Sequence, residues 1–433
     1  MGGQLVPQLV TEDEQTRALR LEVRSFLRRE AAAGTFTPWV DTWLTRWDND
    51  FTKKLAARGW VGMTIPTEYG GHGRTFLERF AVTEELLAMG APVAAQWVAD
   101  RQIAPSLLRF GTEEQKQAFL PKIASGDLCF GIGMSEPESG SDLASVQTKG
   151  RRVEGGWRIT GRKTWTSGGH VADGFFALVR TEPLDPAHRH AGLSQFIVDL
   201  RADGVSIDPI VSMNGGHHFN EVTLDDVFIP DDRVLGEPGE GWHQVTSELA
   251  FERSGPERFL STFALLEEAF DHLRAARTQA PLENAPAGQG PADSGSSLPA
   301  RAATVGSLSS TATTASTATT ASAAPSALPA TGGALGRHVA RVTALHHMSL
   351  SVASSLQAGE NADTAAALVK VLGTTEEGDI AETVDRLVGD VAADNPRLQD
   401  LVDAAIAQRP GFTLRGGTNE VLRGVVARSL GLR

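Results

Sequence analysis

Two stretches of the chain carry residue types able to lie along a flat aromatic cofactor. One is Gly131-Ile-Gly-Met134-Ser135-Glu-Pro137-Glu-Ser-Gly140-Ser141-Asp142; the other, some twenty residues later, is Gly161-Arg-Lys163-Thr-Trp165-Thr-Ser167. Pro137 and Gly140 shape a tight turn, so backbone amides and the hydroxyls of Ser135 and Ser141 can converge on acceptor atoms. In the second stretch hydroxyls flank Trp165 where a strand-like run ends in Gly168-Gly169. An indole there can stack on an isoalloxazine ring, and a neighbouring hydroxyl or amide can bond its N5 edge. Singly, each stretch has a plain structural reading, a core tryptophan between surface hydroxyls and a capped loop. Their order and separation together point to a flavin surface.

The surrounding segments fall into three blocks. Before residue 127 the pattern is helical: Leu19, Val23 and Phe26 recur between Glu12 and Arg29, and Phe51 to Arg58, Leu77 to Met89 and Ala94 to Phe110 continue it. Thr112 ahead of Glu113-Glu114 reads as a helix cap. From Asp127 to Pro230 the sequence alternates between glycine breaks, as in Phe175 to Arg180, Ser194 to Asp199 and Glu221 to Ile229, and Glu154-Gly-Gly-Trp157 reads as a hairpin turn. Helical stripes return after Trp242: Phe259, Phe263, Leu266 and Phe270, then Val339, Val342, Leu345 and Met348, with a last helix from Asn419 to about Leu430. The expected fold is α+β. It has a helical N-terminal domain (1–126), an antiparallel β middle domain (127–235) and a helical-bundle C-terminal domain (236–433). The last is interrupted at about 280–334 by an Ala/Ser/Thr/Pro-rich insertion, which reads as disordered because it cannot bury enough apolar surface to offset its ordering entropy.

Composition narrows the function. A net charge of -13 argues against nucleic-acid binding, which needs basic surface. No run approaches the roughly 20 apolar residues of a membrane helix, and the start of the chain lacks a signal-peptide pattern. A cytoplasmic protein is the expectation. Cys129 is the only cysteine, so no cysteine-rich metal site exists. The pairs His188/His190, His217-His218 and His346-His347 lack a third ligand at metal spacing, so no metal is expected.

Taken with Phe219-Asn-Glu-Val222, Val227-Phe-Ile-Pro230, Gly241-Trp242 and Gly416-Gly-Thr418-Asn-Glu420-Val-Leu-Arg423, the two opening stretches resemble the acyl-CoA dehydrogenase family. The resemblance covers nearly the whole chain outside the insertion. It implies FAD as cofactor, α,β-desaturation of an acyl-CoA thioester, an electron-transfer flavoprotein as acceptor, and a homo- or hetero-oligomer, dimeric or tetrameric. It further implies that Met134, Ser135, Trp165 and Ser167 touch the flavin, that Thr418 and Glu420 touch the rest of FAD, and that Ser141 lies near the CoA moiety.

Such a reaction needs a carboxylate, raised in pKa by a dry pocket, to take the α-proton, and donors for the thioester oxygen. The family's usual glutamate precedes the final Gly-Thr, where this chain has Gly416, whose N–H could still serve the thioester oxygen. Some branches place the base on the first long C-domain helix before an arginine, and Glu252-Arg253 stands there. Glu252 is therefore the expected base, with Arg253 orienting it or the substrate. Glu257-Arg258, five residues on, is the alternative pair. The family's Arg-x-x-Phe-Gly and Gln-x-x-Gly-Gly segments, which reach a partner's FAD pyrophosphate, are not found, which leaves Arg337, Arg415 or another chain to supply that charge. Two rival readings stay open: a catalytically silent or half-site subunit of a hetero-oligomeric dehydrogenase, and a flavin oxidase or monooxygenase.

Overall fold

A computed structural model of the chain describes residues 10–279, 328–391 and 395–432. The expected disordered insertion lies, from 280 to 327, outside the described residues. Its expected end at 334 is too late, because the helix that follows already begins at Leu328.

The N-terminal domain is built of capped amphipathic helices. In α1 (Glu14–Ala32) the Asp13 carboxylate accepts the Thr16 N–H at 2.7 Å, and the helix buries Leu19, Val23, Phe26 and Leu27. Short helices α2 (Thr42–Thr45) and α3 (Asn49–Ala56) follow. Capping boxes, Thr75 with Glu78 and Thr112 with Gln115, start α4 (Phe76–Ala88) and α7 (Glu113–Ala124). The expected continuous helix over 94–110 is divided. A π-helical turn, Ala99–Ile103, separates α5 (Ala94–Val98) from α6 (Ala104–Phe110). Two charges are buried on that turn. Asp100 accepts the Gly62 N–H at 2.8 Å, and Arg101 pairs with Glu257. Hydrophobic spacing alone carries no sign of either contact.

The middle domain is an eight-stranded sheet of order β6-β7-β3-β2-β4-β5-β8, with β1 paired to β4. The strands are β1 (Phe130–Gly133), β2 (Lys149–Val153), β3 (Gly156–Ser167), β4 (Gly174–Arg180), β5 (Leu193–Asp199), β6 (Val205–Val211), β7 (His217–Pro230) and β8 (Val234–Leu235). The expected β2–β3 hairpin forms, with Gly155 at φ +73°. The sheet is mixed rather than wholly antiparallel: β1 runs parallel to β4 from Phe130↔Gly174 to Gly133↔Ala177, and β2 meets β4 in parallel at Lys149↔Arg180. The chain between β1 and β4 holds a loop and a whole hairpin, long enough to return in the same direction.

The C-terminal domain comprises α8 (Gly241–Arg253), α9 (Phe263–Gln279), α10 (Leu328–Gln357), α11 (Asp363–Val391), α12 (Pro396–Phe412) and α13 (Asn419–Ser429). On α10, Val342 and Leu345 face the core as expected, but Val339 is exposed. One core joins this domain to the N-terminal helices: Phe26, Phe51 and Trp60 pack in a cluster with Phe259, Leu265, Ile380 and Leu401. Each such buried side chain contributes about 1.5–3 kcal/mol. Ion pairs reinforce the join, since Glu84 of α4 takes both Arg20 of α1 at 2.6 Å and His346 of α10 at 2.5 Å. The site elements therefore hang on one shared framework.

Candidate active site

Beyond β1 the chain leaves the sheet through Met134 and Ser135, and the Ser135 carbonyl accepts the Thr164 N–H at 2.9 Å. That bond ties the first signature stretch to the second. A buried ion pair ties them again: Lys163 Nζ donates to Glu136 Oε1 at 2.8 Å, to the Leu178 carbonyl at 2.6 Å and to the Met134 carbonyl at 3.3 Å. Glu136 also accepts the Gln147 N–H at 2.6 Å and the Thr148 N–H at 2.9 Å. Burial pushes the Lys163 ammonium down to about 8 although Glu136 opposes the shift. Burial opposes ionisation of Glu136 too, but Lys163 and the surrounding donors outweigh it and hold its pKa below the usual range.

Above this pair stands Trp165. The β3–β7 register shifts between Lys163 and Thr166, and Trp165 takes φ +60°. A bulky residue in that conformation costs on the order of 1–3 kcal/mol. The bulge aims the indole outward, 56% exposed, with the Phe219 ring set edge-on at 5.4 Å. Half-buried Ser167 ends the strand opposite Phe219, and Gly168 turns away at φ +64°, close against Trp47. Met134 is half-buried against Val146 and Leu178. Ser141 is exposed, beside Asp142, which pairs with Arg189 at 2.6 Å.

The loop 413–418 is held from several sides. Arg253 Nε, at the end of α8, donates to the Gly416 carbonyl at 3.2 Å. Arg415 Nη1 donates to both oxygens of the buried Asp41, at 2.7 and 2.8 Å, while its guanidinium lies over Trp43 and Phe412. Lys370 Nζ donates to the Thr413 carbonyl at 2.9 Å and to Asn419 Oδ1 at 2.8 Å. Gly416 and Gly417 both sit in the left-handed region, at φ +66° and +86°. Thr418 caps α13 by accepting the Val421 N–H, and Glu420 is exposed in its first turn.

These parts form a contiguous set. Trp165 meets Phe219, the adjoining His218 is close enough to Arg415 to feel its charge, and Arg415 leads into Gly416 and so to Arg253. Burial first, then Arg415, pushes His218 down to about 4, so its ring is neutral at pH 7. Glu377 of α11 lies behind the loop, fully buried, accepting the Ser261 N–H at 2.8 Å, and burial raises it to about 7 despite Arg415.

Glu252 occupies the last turn of α8, next to Arg253; its side chain lies outside the described residues. Its alternative, Glu257, is no surface pair. It is wholly buried and ion-paired with Arg101 of the π turn and with Arg258 at 3.4 Å. Arg415, a candidate for a pyrophosphate partner, is instead committed to Asp41, whereas Arg337 is exposed on α10. The histidine pairs have other uses: His190 stacks on Trp242 at 4.0 Å and His217 bonds Asn220 at 2.8 Å. No group of three or more His, Cys, Asp or Glu side chains among the described residues is placed to hold a metal. No helix among them is long and apolar enough to cross a membrane.

Sequence reasoning missed the Glu136–Lys163 and Asp41–Arg415 pairs and the buried Glu377. For the first a signal existed, since Lys163 stands inside the strand-like run of the second stretch. For the others none did, because the partners are hundreds of residues apart or isolated in helical sequence.

Comparison with known proteins agrees with this architecture. Family models of the acyl-CoA dehydrogenase N-terminal, middle and C-terminal domains match residues 13–127, 131–227 and 301–431. The chain is 40% identical over 203 residues to the acyl-CoA dehydrogenase IpdE1 of Mycobacterium tuberculosis, covering 47% of this chain and 52% of that protein. It is 36% identical over 247 residues to FadE26 of the same organism, covering 55% and 60%. The matches thus span only about half the length of these curated relatives. Among solved structures, the Tcur3481-Tcur3483 steroid ACAD aligns with a TM-score of 0.76 at 27% identity, over 98% of this chain and 99% of that one. A chain of the ChsE4-ChsE5 complex of Mycobacterium tuberculosis aligns at 0.73 and 27%, over 98% and 100%. Three consecutive domain matches in the family's order, on a fold of helical, β and helical domains, settle the assignment: the chain belongs to the acyl-CoA dehydrogenase family.

Proposed function

We propose that the protein is an FAD-dependent acyl-CoA dehydrogenase that takes its catalytic base from α8. The observation that carries this reading is the Arg253 Nε bond to the Gly416 carbonyl at 3.2 Å. It brings the end of α8, with Glu252, to the loop where the family's usual carboxylate is absent. The outward indole of Trp165, the adjoining Met134 and Ser135, and Ser167 fit a flat ring system: a rigid aromatic platform rimmed by polar groups. In this reading Thr418 and Glu420 touch the rest of FAD, and Ser141 lies near the CoA moiety.

FAD held against Trp165, Met134, Ser135 and Ser167 would supply the two-electron acceptor for the hydride leaving the substrate β-carbon. The chain does the rest. Glu252 removes the α-proton, so the α C–H and β C–H bonds are exchanged for a carbon–carbon double bond. The Gly416 N–H donates to the thioester oxygen as enolate character develops. Arg253 positions the Glu252 turn against the loop. Electrons then pass to an electron-transfer flavoprotein, and the active species is a dimer or tetramer in the cytoplasm. Glu252→Gln, purified with FAD, is expected to keep its flavin and lose at least a hundredfold in the rate of flavin bleaching by acyl-CoA, in line with removal of a general base. Undiminished bleaching in that variant refutes the assignment.

A second reading has a specific observation behind it: Arg415 is occupied by Asp41, so it is not spare for a pyrophosphate. The chain is then a half-site subunit that holds FAD together with a different partner, consistent with its likeness to chains of the ChsE4-ChsE5 complex. Purification alone decides: a yellow protein supports the first reading, and a colourless one that gains flavin with a companion chain supports the second. Peroxide release without an electron-transfer partner identifies an oxidase instead.

A further inference from the structure

Just past the end of α8 lies a cavity of about 40 Å³ whose lining includes Trp97, Arg101, Ser254, Gly255 and Glu257. A single water needs roughly 10–15 Å³, so the space holds a few waters or a small polar group. Trp97 is 4% exposed, yet its Nε1–H is buried and meets no acceptor among the described residues. A buried donor left unmade costs about 1–3 kcal/mol, so such a group normally has a partner. The Arg101 guanidinium, 3% exposed, is matched by Glu257, 0% exposed. The remaining walls mix apolar side chains, Phe80 and Leu356 among them, with Thr83, Ser349 and Arg79. Gly255 follows Glu252 by three residues, so their Cα atoms are no more than about 11 Å apart.

We propose that this cavity is the far end of the acyl pocket and takes a neutral oxygen acceptor, a ketone or hydroxyl carried by the acyl group beyond its reacting carbons. The inference rests on the acyl-CoA reading above. Trp97 donates its indole N–H to that oxygen, and the Arg101–Glu257 pair forms the polar floor beneath it. A carboxylate-ended acyl group is disfavoured: the two lining cations already have counter-ions, Arg101 with Glu257 and Arg79 with Asp100 at 3.3 Å, and an uncompensated buried charge is costly. A purely alkyl chain leaves the indole N–H unmade.

The test compares acyl-CoAs of equal chain length, one saturated and the others bearing a ketone at successive positions, by calorimetric titration of the FAD-loaded protein. The wild type is expected to bind one ketone isomer about fivefold more tightly than the alkyl compound, the size of one hydrogen bond. In Trp97→Phe, which keeps the ring and removes the donor, that ratio falls to near one. A wild type indifferent to every ketone position overturns the proposal, as does a preference that survives Trp97→Phe, since the cavity then holds water only. Should Trp97→Phe not fold, the single positional optimum across the wild-type series remains the deciding result. Binding of no acyl-CoA at all overturns the underlying reading as well. Flavin bleaching by alkyl-CoA without any preference overturns this inference alone.

Discussion

Replacing Glu136 with Gln isolates the buried pair beneath the Trp165 platform. In the protein Lys163 is 0% exposed and donates to Glu136, Leu178 and Met134, while Glu136 also accepts two backbone N–H groups. Glutamine keeps one carbonyl oxygen for three donors and turns its amide hydrogens toward at least one of them. Removing one member of a buried pair costs about 3–5 kcal/mol. Lys163 has an escape, because burial already brings it to about 8. Loss of the Glu136 anion lowers it further, and giving up a proton from a group one unit above the ambient pH costs about 1.4 kcal/mol. The lower end, about 3 kcal/mol, is therefore expected at pH 7, a fall of roughly 12–24 °C in the melting temperature of a domain the size of the middle one. The sign with pH follows. A lysine depressed in the folded state binds fewer protons than in the unfolded chain, so stability rises with pH from its folded value upward. Since that value is lower in the variant than in the wild type, the defect shrinks between pH 6 and pH 8.5. Thermal melts at both pH values, with flavin retention on gel filtration, read the effect; exposed Glu138→Gln serves as control, within about 0.5 kcal/mol of wild type. An E136Q protein that melts with the wild type across this range refutes the assigned role.

Two further substitutions probe the junction. Glu377, raised to about 7 by burial, binds a proton in the folded state that the unfolded chain releases near its ordinary value, so it adds stability on acidification through pH 7 and loses it on the way up. Glu377→Gln should remove up to about 1.4 kcal/mol per pH unit of that dependence between pH 5.5 and 7.5, and parallel urea-midpoint profiles for the two proteins contradict it. Gly168→Ala puts a Cβ 2.2 Å from the Trp47 ring at φ +64°, so a loss of roughly 2–4 kcal/mol with weakened FAD binding is expected. A wild-type melting temperature in that variant contradicts the close approach.

The three-block order, the cap at Thr112 and the β2–β3 turn are local, so hydroxyl spacing and glycine placement disclose them. The parallel pairing of β1 with β4 is not local: residues 130 and 174 meet across a loop and a hairpin, and no alternation pattern specifies strand direction. The π turn escapes for a related reason, since what occupies it is a pair of buried charges answered by Gly62 and Glu257 from distant segments. The hydroxyls and glycines around Trp165 make it legible as a candidate stacking residue, but the bulge that turns it outward is a register event between β3 and β7. The Glu-Arg repeat at Glu252 and Glu257 looks alike in sequence. The structure separates them by their surroundings: Glu257 is locked between α4, α10 and the π turn, whereas Arg253 at the end of α8 reaches the Gly416 carbonyl.

The same geometry bears on the proposed reaction at position 416, where this chain has glycine in place of the family's usual glutamate. With φ +66° there and +86° at Gly417, a β-carbon at either place costs on the order of 1 kcal/mol before any contact is made. The loop's carbonyls and flanks are taken by cations from three directions: Arg253 on Gly416, Lys370 on Thr413, and Arg415 turned back to Asp41. A loop held in this way offers backbone to a substrate and no carboxylate. Under the proposed reaction a proton acceptor must then come from the element that grips the loop, and that element is the last turn of α8. In the proposed reaction the Arg253–Gly416 bond has two consequences at once, fixing the donor assigned to the thioester oxygen and setting the distance from which Glu252 must reach the α-carbon. Arg253→Lys, which keeps the charge but not the planar guanidinium, is accordingly expected to lower the bleaching rate more than it weakens acyl-CoA binding. Equal losses in both would place Arg253 in substrate binding rather than in positioning.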